Sequence, residues 1–389
     1  MTAFDILLLI PDVLSRIVLA EWLPLRDLVD LDRSYCSTTT RAQFHTILAS
    51  PGTFKQSSPN LTCLIGYLTW LKARSIHMAC LQVPKELAVE PSIYGTLCED
   101  LIRSCGPTLQ QIDFQSLVTE PRLHYTCVDS ILSLCPNLTD LSLPRGCRTS
   151  ARFLHKLTLT CPRLKELRIL GAYEWEGWEQ SESVTWTFPA LKVLDVSSSL
   201  ITTEVLMVLV TITPTLESFC VYNSLASTIV LSSHSQIWHN LHSLEICDDS
   251  LTDTMVTAII TQNPKLTHIH LENGYRPQLL TDVSLLCIAE YCLLLTQSCI
   301  RSDDITDQGM CHLVQHCAKL KTLTLDFNKQ LTNQTLLSVA KHCKQLRSLS
   351  IYECQCITRL GMLVVVAKCK ELHTLNRSFG TNSAKSQRF

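Results

Sequence analysis

Apolar residues recur along most of this chain on a long and even period. Taking leucine as the anchor, Leu109, Leu138, Leu164, Leu191, Leu216, Leu241, Leu266, Leu295, Leu320, Leu346 and Leu372 stand 25–29 residues apart. Three positions after the anchor the residue is apolar in every unit but one, where Ser298 stands. Five positions after it the same holds in every unit but the last, where Arg377 stands. That spacing of two marks a short strand with one buried face. The better units continue with a helix start: an apolar residue, a threonine and a polar residue suited to capping the first turn, then apolar residues at helical spacing. Ile305-Thr306-Asp307 leads to Met310 and Leu313, and Leu251-Thr252-Asp253 leads to Val256 and Ile259. Leu331-Thr332-Asn333 and Ile357-Thr358-Arg359 repeat the signal.

A strand, a turn and a helix in so few residues cannot bury their own apolar face, so neighbouring units must stack. The period and its content are those of leucine-rich repeats. They predict an α/β fold, a leucine-rich-repeat solenoid (horseshoe), over residues 105–377, with the strands lining its concave side. Residues 378–389 are polar and are expected to be disordered. Two units lack a helical period in their second half, between Leu170 and Ala190 and between Tyr222 and Asn240, and are expected to cross by extended or irregular structure. The first of these carries the acidic aromatic run from Tyr173 to Glu179, which either fills the space of a missing helix or forms an exposed epitope.

Seven cysteines, Cys105, Cys135, Cys161, Cys292, Cys317, Cys343 and Cys369, sit three or four residues before an anchor. They lie one repeat apart and pair in no CxxC, so they are expected as small buried core thiols rather than metal ligands. With Cys135-Pro136-Asn137-Leu138 and Cys161-Pro162-Arg163-Leu164, this placement resembles the cysteine-containing subfamily of leucine-rich repeats.

Residues 1–50 have no repeat register and read as a small helical module, and residues 51–104 as a linker with a divergent first repeat in which Ile76, Met78 and Cys80 alternate like a strand. Ile10, Pro11 and Asp12, then Leu14, Ile17, Leu23, Asp27, Leu28 and Leu31 resemble a degenerate F-box. A helical cap shielding the first repeat is the alternative. An F-box followed by cysteine-containing repeats is the layout of the F-box/leucine-rich-repeat protein family. The resemblance implies a substrate-recognition subunit of an SCF-type E3 ubiquitin ligase, a non-catalytic receptor partnered by a Skp-type adaptor and the cullin ligase core. Ile10, Pro11, Leu14, Ile17, Leu23, Leu28 and Leu31 would then carry adaptor docking.

Composition narrows the partners. Lys and Arg number 33 against 35 Asp and Glu with no long basic run, so nucleic acid is not expected. Neither a secretory signal nor a membrane span is apparent, and the 20 cysteines then belong in a reducing compartment, read as the cytoplasm with the nucleus also open. No GxGxxG, Walker loop, HExxH or GxSxG occurs, so an enzyme is not expected. The concave strand positions remain as the binding surface for a protein substrate: Arg168, Asp195, Tyr222, Glu245, His268, His270, Arg301, Thr324 and Tyr352. His268 and His270, with His242, Glu245 and Glu272 around them, are also neighbours that zinc would use. Exposed strand positions must be polar in any case, so these residues are read as an ordinary binding surface, and neither a metal nor a cofactor is expected. His312 and His316, four apart on a helix, are read the same way. The alternative to a ligase subunit is a repeat scaffold or sensor without ubiquitin-ligase function.

Overall fold

The computed structural model describes residues 132–143, 145–172, 174–176, 185–199, 201–222, 238–273 and 279–377, the stretches 80–82, 102–103, 106–115 and 385–388, and Asp32, Arg41 and Ala42. The chain divides into two compact units, Met1–Leu191 and Lys192–Phe389. Both are built from the repeat that the leucine period predicts. Every anchor from Leu109 to Leu372 is buried, as is every residue of the +3 column and, up to Ile351, of the +5 column. Each such leucine withdrawn from water contributes roughly 1.5–3 kcal/mol. Within each unit these stacked apolar layers are the core.

In the first unit, strands β1 (Cys80–Gln82), β2 (Gln111–Asp113), β3 (Asp140–Ser142) and β5 (Glu166–Arg168) are parallel neighbours. Leu81 of β1 aligns with Ile112 of β2, so the strand sits one residue out of phase with an alternation through Ile76, Met78 and Cys80. Strand β4 (Arg148–Ser150) opens helix α1 (Ala151–Thr160), which Ser150 caps by accepting from Phe153 N–H. Strand β6 (Glu174–Glu176) pairs with β4 and puts extended chain in the second half of the unit that lacks a helical period. Of the acidic aromatic run, Trp175 is half-buried on that strand.

In the second unit, β7 (Val193–Asp195), β8 (Ser218–Tyr222), β9 (Ser243–Cys247), β10 (His268–Glu272), β11 (Gln297–Arg301), β12 (Thr322–Thr324), β13 (Ser348–Ser350) and β14 (Thr374–Arg377) run parallel in chain order. They alternate with α2 (Thr203–Ile212), α3 (Asp253–Gln262), α4 (Asp282–Tyr291), α5 (Asp307–His316), α6 (Asn333–His342) and α7 (Arg359–Lys368). Strand β15 (Lys385–Arg388) pairs antiparallel with β14, inside the segment 378–389 whose other residues lie outside the described residues. The last parallel strand offers unpaired backbone groups along one edge, and a polar segment can satisfy them without any apolar signal of its own.

The helix starts are tied together between repeats. The threonine is the N-cap throughout α2–α7. The polar residue after it reaches instead to the next repeat. Asp253 accepts from the N–H and hydroxyl of both Thr281 and Ser284, and Asp307 from those of Thr332 and Thr335. Asp282 serves Thr306 and Gly309 N–H, and Asn333 serves Thr358. Each carboxylate thus satisfies orphan amides of the following helix. In the four helices whose start is held by the preceding repeat, α4–α7, the residue three after the capping threonine is either a hydroxyl that joins the ladder, Ser284 or Thr335, or a glycine. A Cβ at Gly309 would lie 2.3 Å from Asp282 Oδ1, and at Gly361 2.4 Å from Asn333 Oδ1.

All the described cysteines are free thiols, and the six repeat cysteines among them are buried. Cys161 donates to the Cys135 carbonyl at 3.4 Å and Cys369 to that of Cys343 at 3.4 Å, so the thiols stack as small donors along the core. Burial pushes Cys317 up to about 12, as expected for inert structural thiols. Cys105 lies outside the described residues.

Candidate functional site

The open face of the second unit's sheet carries two rows of side chains, fixed by the strand register. At +4 from the anchor stand Cys220, Glu245, His270, Cys299, Thr324 and Ser350. At +6 stand Tyr222, Cys247, Glu272 and Arg301. Because strands in a parallel ladder lie under 5 Å apart, each side chain on this face touches those one repeat away.

A continuous polar network results. Asp195 accepts from the Ser197 hydroxyl, which meets Cys220 Sγ at 3.3 Å, and Cys220 in turn donates to Glu245 at 3.7 Å. Tyr222 donates its phenol to Glu245 Oε2 and lies 3.0 Å from His270 Nδ1. On the other edge of the ring, His270 Nε2 is 3.6 Å from Cys247 Sγ and 3.8 Å from Glu272 Oε2. The second oxygen of Glu272 accepts from Arg301. Burial holds His270 below its usual pKa against the raising influence of Glu245 and Glu272, which favours the neutral imidazole. Burial also pushes the Cys220 and Cys247 thiols and the Tyr222 phenol up. Cys299 is pushed up to about 12, by burial first and then by Asp326 and Glu272.

Past Arg301 the network becomes aromatic. The Arg301 guanidinium sits 4.1 Å over the Phe327 ring, and Phe327 lies 5.2 Å from Tyr352. Asp326 fixes the last partner by accepting from Tyr352 N–H at 2.7 Å and from the Ser350 hydroxyl. Phe327 reaches this place through a left-handed backbone, φ 62°, as do Ser198 at 56° and Glu353 at 55°, each seven residues after its anchor. The turn carries Phe327 N–H to the Tyr352 carbonyl at 2.8 Å. A bulky side chain in this region is an outlier that the fold tolerates at a cost. Arg301, Phe327, Tyr352, Asn273, Asp303 and Lys329 line an open groove of about 610 Å³.

Of the residues proposed from sequence as a binding surface, the structure joins Asp195, Tyr222, Glu245, His270, Arg301 and Tyr352. Thr324 shares the +4 row. His268 bonds Thr267 beside it at 2.7 Å and stands apart from the network. Arg168 belongs to the first unit, where it pairs with Glu166 at 2.6 Å. The seven F-box-like positions, Ile10, Pro11, Leu14, Ile17, Leu23, Leu28 and Leu31, lie outside the described residues. Within that stretch Asp32, Arg41 and Ala42 are helical, and Arg41 pairs with the buried Asp32 at 2.8 Å. Cys247 and Phe327 were missed. The first is visible once the +6 column is read as a row. The second sits at +7, off the strand, where a periodicity of two no longer applies.

These features define a leucine-rich-repeat protein whose most elaborate surface is the strand face from Tyr222 to Tyr352. No family model matches the sequence, and no curated protein matches it. Among solved structures the chain is similar to one in the complex of Rad7 and Elc1 from yeast, with a TM-score of 0.51 and 16% identity over 79% of this chain and 75% of that one. An internalin of Listeria monocytogenes gives a TM-score of 0.40 and 17% identity over 71% and 75%. Among the described residues no helix is long and apolar enough to cross a membrane.

Proposed function

We propose that this chain is a non-catalytic receptor that holds a protein partner on the strand face of its second unit and presents it to an SCF-type ubiquitin ligase through the F-box-like residues at its start. The observation that carries the binding role is the groove at Arg301, Phe327 and Tyr352. Arginine and tyrosine are the residue types that dominate interface energetics, and a guanidinium stacked between an aromatic ring and a carboxylate is held ready for a partner. The mixed charge of the face suits a protein better than a phosphate backbone.

The ligase link rests on the resemblance of Ile10, Pro11, Leu14, Ile17, Leu23, Leu28 and Leu31 to an F-box, with support from the shared fold of a chain crystallised in the Rad7 and Elc1 complex. A Skp-type adaptor and the cullin core are the partners it implies, in the cytoplasm or nucleus. The test is co-purification of the full chain with a Skp-type adaptor. Wild type should retain the adaptor at micromolar concentration, and the double variant Leu14→Asp, Ile17→Asp should lose it. No retention by wild type would leave a repeat scaffold without ligase function.

A further inference from the structure

We propose that Cys247 Sγ, His270 Nε2 and Glu272 Oε2 form a binding site for a thiophilic divalent cation, zinc by the chemistry of its donors. The inference does not depend on the ligase reading. It begins with geometry: the three donor atoms lie within 4.8 Å of one another, Sγ to Nε2 at 3.6 Å and Nε2 to Oε2 at 3.8 Å. Around zinc, sulfur at about 2.3 Å and nitrogen or oxygen at about 2.0–2.2 Å put neighbouring tetrahedral donors roughly 3.4–3.6 Å apart. The two edges at Nε2 stand close to that spacing, and the third, Sγ to Oε2 within 4.8 Å, closes by up to about an ångström through side-chain rotation on two adjacent strands whose register fixes the rest.

The surroundings prepare the donors. The single phenolic proton of Tyr222 goes to Glu245, so the Tyr222 oxygen can only accept from the imidazole. That assigns the His270 proton to Nδ1 and leaves the Nε2 lone pair facing Cys247 and Glu272. A carboxylate-backed partner on the far nitrogen is the arrangement that orients histidine ligands in metal sites. Glu272 is likewise held by one oxygen, which accepts from Arg301, with the other turned to His270. A thiolate and a carboxylate neutralise a dication, and three protein donors leave a fourth position for water or for a donor from a bound partner. Zinc binding would displace the proton that Cys247 otherwise shares with Nε2.

Cobalt(II) and zinc(II) titrations of the reduced full chain test the site. Wild type should bind one equivalent of cobalt with a thiolate-to-cobalt charge-transfer band, and zinc should displace it and raise the melting temperature. Cys247→Ser and His270→Gln should each abolish the band while circular dichroism stays that of wild type. Tyr222→Phe touches no metal and should keep one equivalent while weakening affinity roughly 10- to 100-fold. Binding without a charge-transfer band would overturn the assignment because no thiolate would then be a ligand, and a band that survives Cys247→Ser would overturn it because other thiols would be. So would Tyr222→Phe with wild-type affinity, or no binding at all by a folded wild type.

Discussion

Ser298 occupies a core position that every other repeat fills with an apolar side chain. It is 2% exposed, and its hydroxyl has no hydrogen-bond partner. In register it stands between Ile269 and Leu323, so neither neighbour can supply one. A buried hydroxyl left unpaired costs about 1–3 kcal/mol. Ser298→Ala keeps the backbone and removes the orphan group, and should raise the melting temperature by about 2–4 °C, equivalent to roughly 1 kcal/mol. A lower melting temperature by circular dichroism would show that the hydroxyl is bonded. The interruption was legible in the sequence, because it breaks a column that holds elsewhere. Phe327 was not. Its left-handed turn recurs at Ser198 and Glu353, and no residue preference shared by serine, phenylalanine and glutamate announces it. Phe327→Gly removes both the backbone strain and the ring contacts. These effects are each on the order of 1 kcal/mol and opposite in sign. The melting temperature should therefore stay within about 2 °C, and a larger fall would mean that the ring is there for stability.

The helices show how far local signals reach. Thr-Asp at a helix start reads as a cap, and the threonine serves as one, yet the aspartate's partners lie about one repeat further on. Sequence periodicity can propose that repeats stack, but which atoms meet depends on the rise between layers, and no residue encodes that alone. Asp307 and Asp253 are the fullest rungs described; Asp307 accepts from two amides and two hydroxyls of Thr332 and Thr335. Asp307→Ala leaves those groups without their acceptor and should cost about 2 kcal/mol, at the upper end of what a lost cap costs, seen as an earlier midpoint in urea. The pH dependence follows from the same bonds. Burial alone would raise the Asp307 pKa, but the bonds from Thr332 and Thr335 outweigh it and the folded value lies below the ordinary one. A depressed carboxylate contributes stability that is full above its unfolded pKa and is lost as the pH falls through the folded value. Asp307→Asn, which copies the natural rung at Asn333, should keep part of the ladder. It should also remove that share of the acid sensitivity, so its stability relative to wild type improves as the pH is lowered below the ordinary carboxylate range. A constant difference between the two across that range would exclude Asp307 as the titrating group.

At the scale of the molecule, recognition and presentation are proposed to reside in different parts of one chain, and that division has a measurable consequence. In a repeat array each layer contacts only its neighbours, so substitutions on the exposed strand face leave distant layers unchanged. Arg301→Ala removes the guanidinium that links Glu272 to the Phe327 ring, and Tyr352→Ala removes the far wall of the groove. Anchors of this type commonly cost 2 kcal/mol or more when truncated, a loss of 30-fold or more in affinity. Affinity purification of the full chain should therefore recover a protein partner that the Arg301→Ala, Tyr352→Ala variant loses while it retains the Skp-type adaptor. The Leu14→Asp, Ile17→Asp variant should do the reverse. Adaptor and partner lost together from either folded variant would mean that they do not bind separate surfaces, and the receptor reading would fail as a division of labour even if both proteins bind wild type. That the strands present an open polar face could be read from the sequence, because polar positions alternate with buried ones along each strand. The specific network could not: it needs side chains drawn from successive repeats, and its links between repeats, such as Cys247 with His270, join residues 23 apart in sequence.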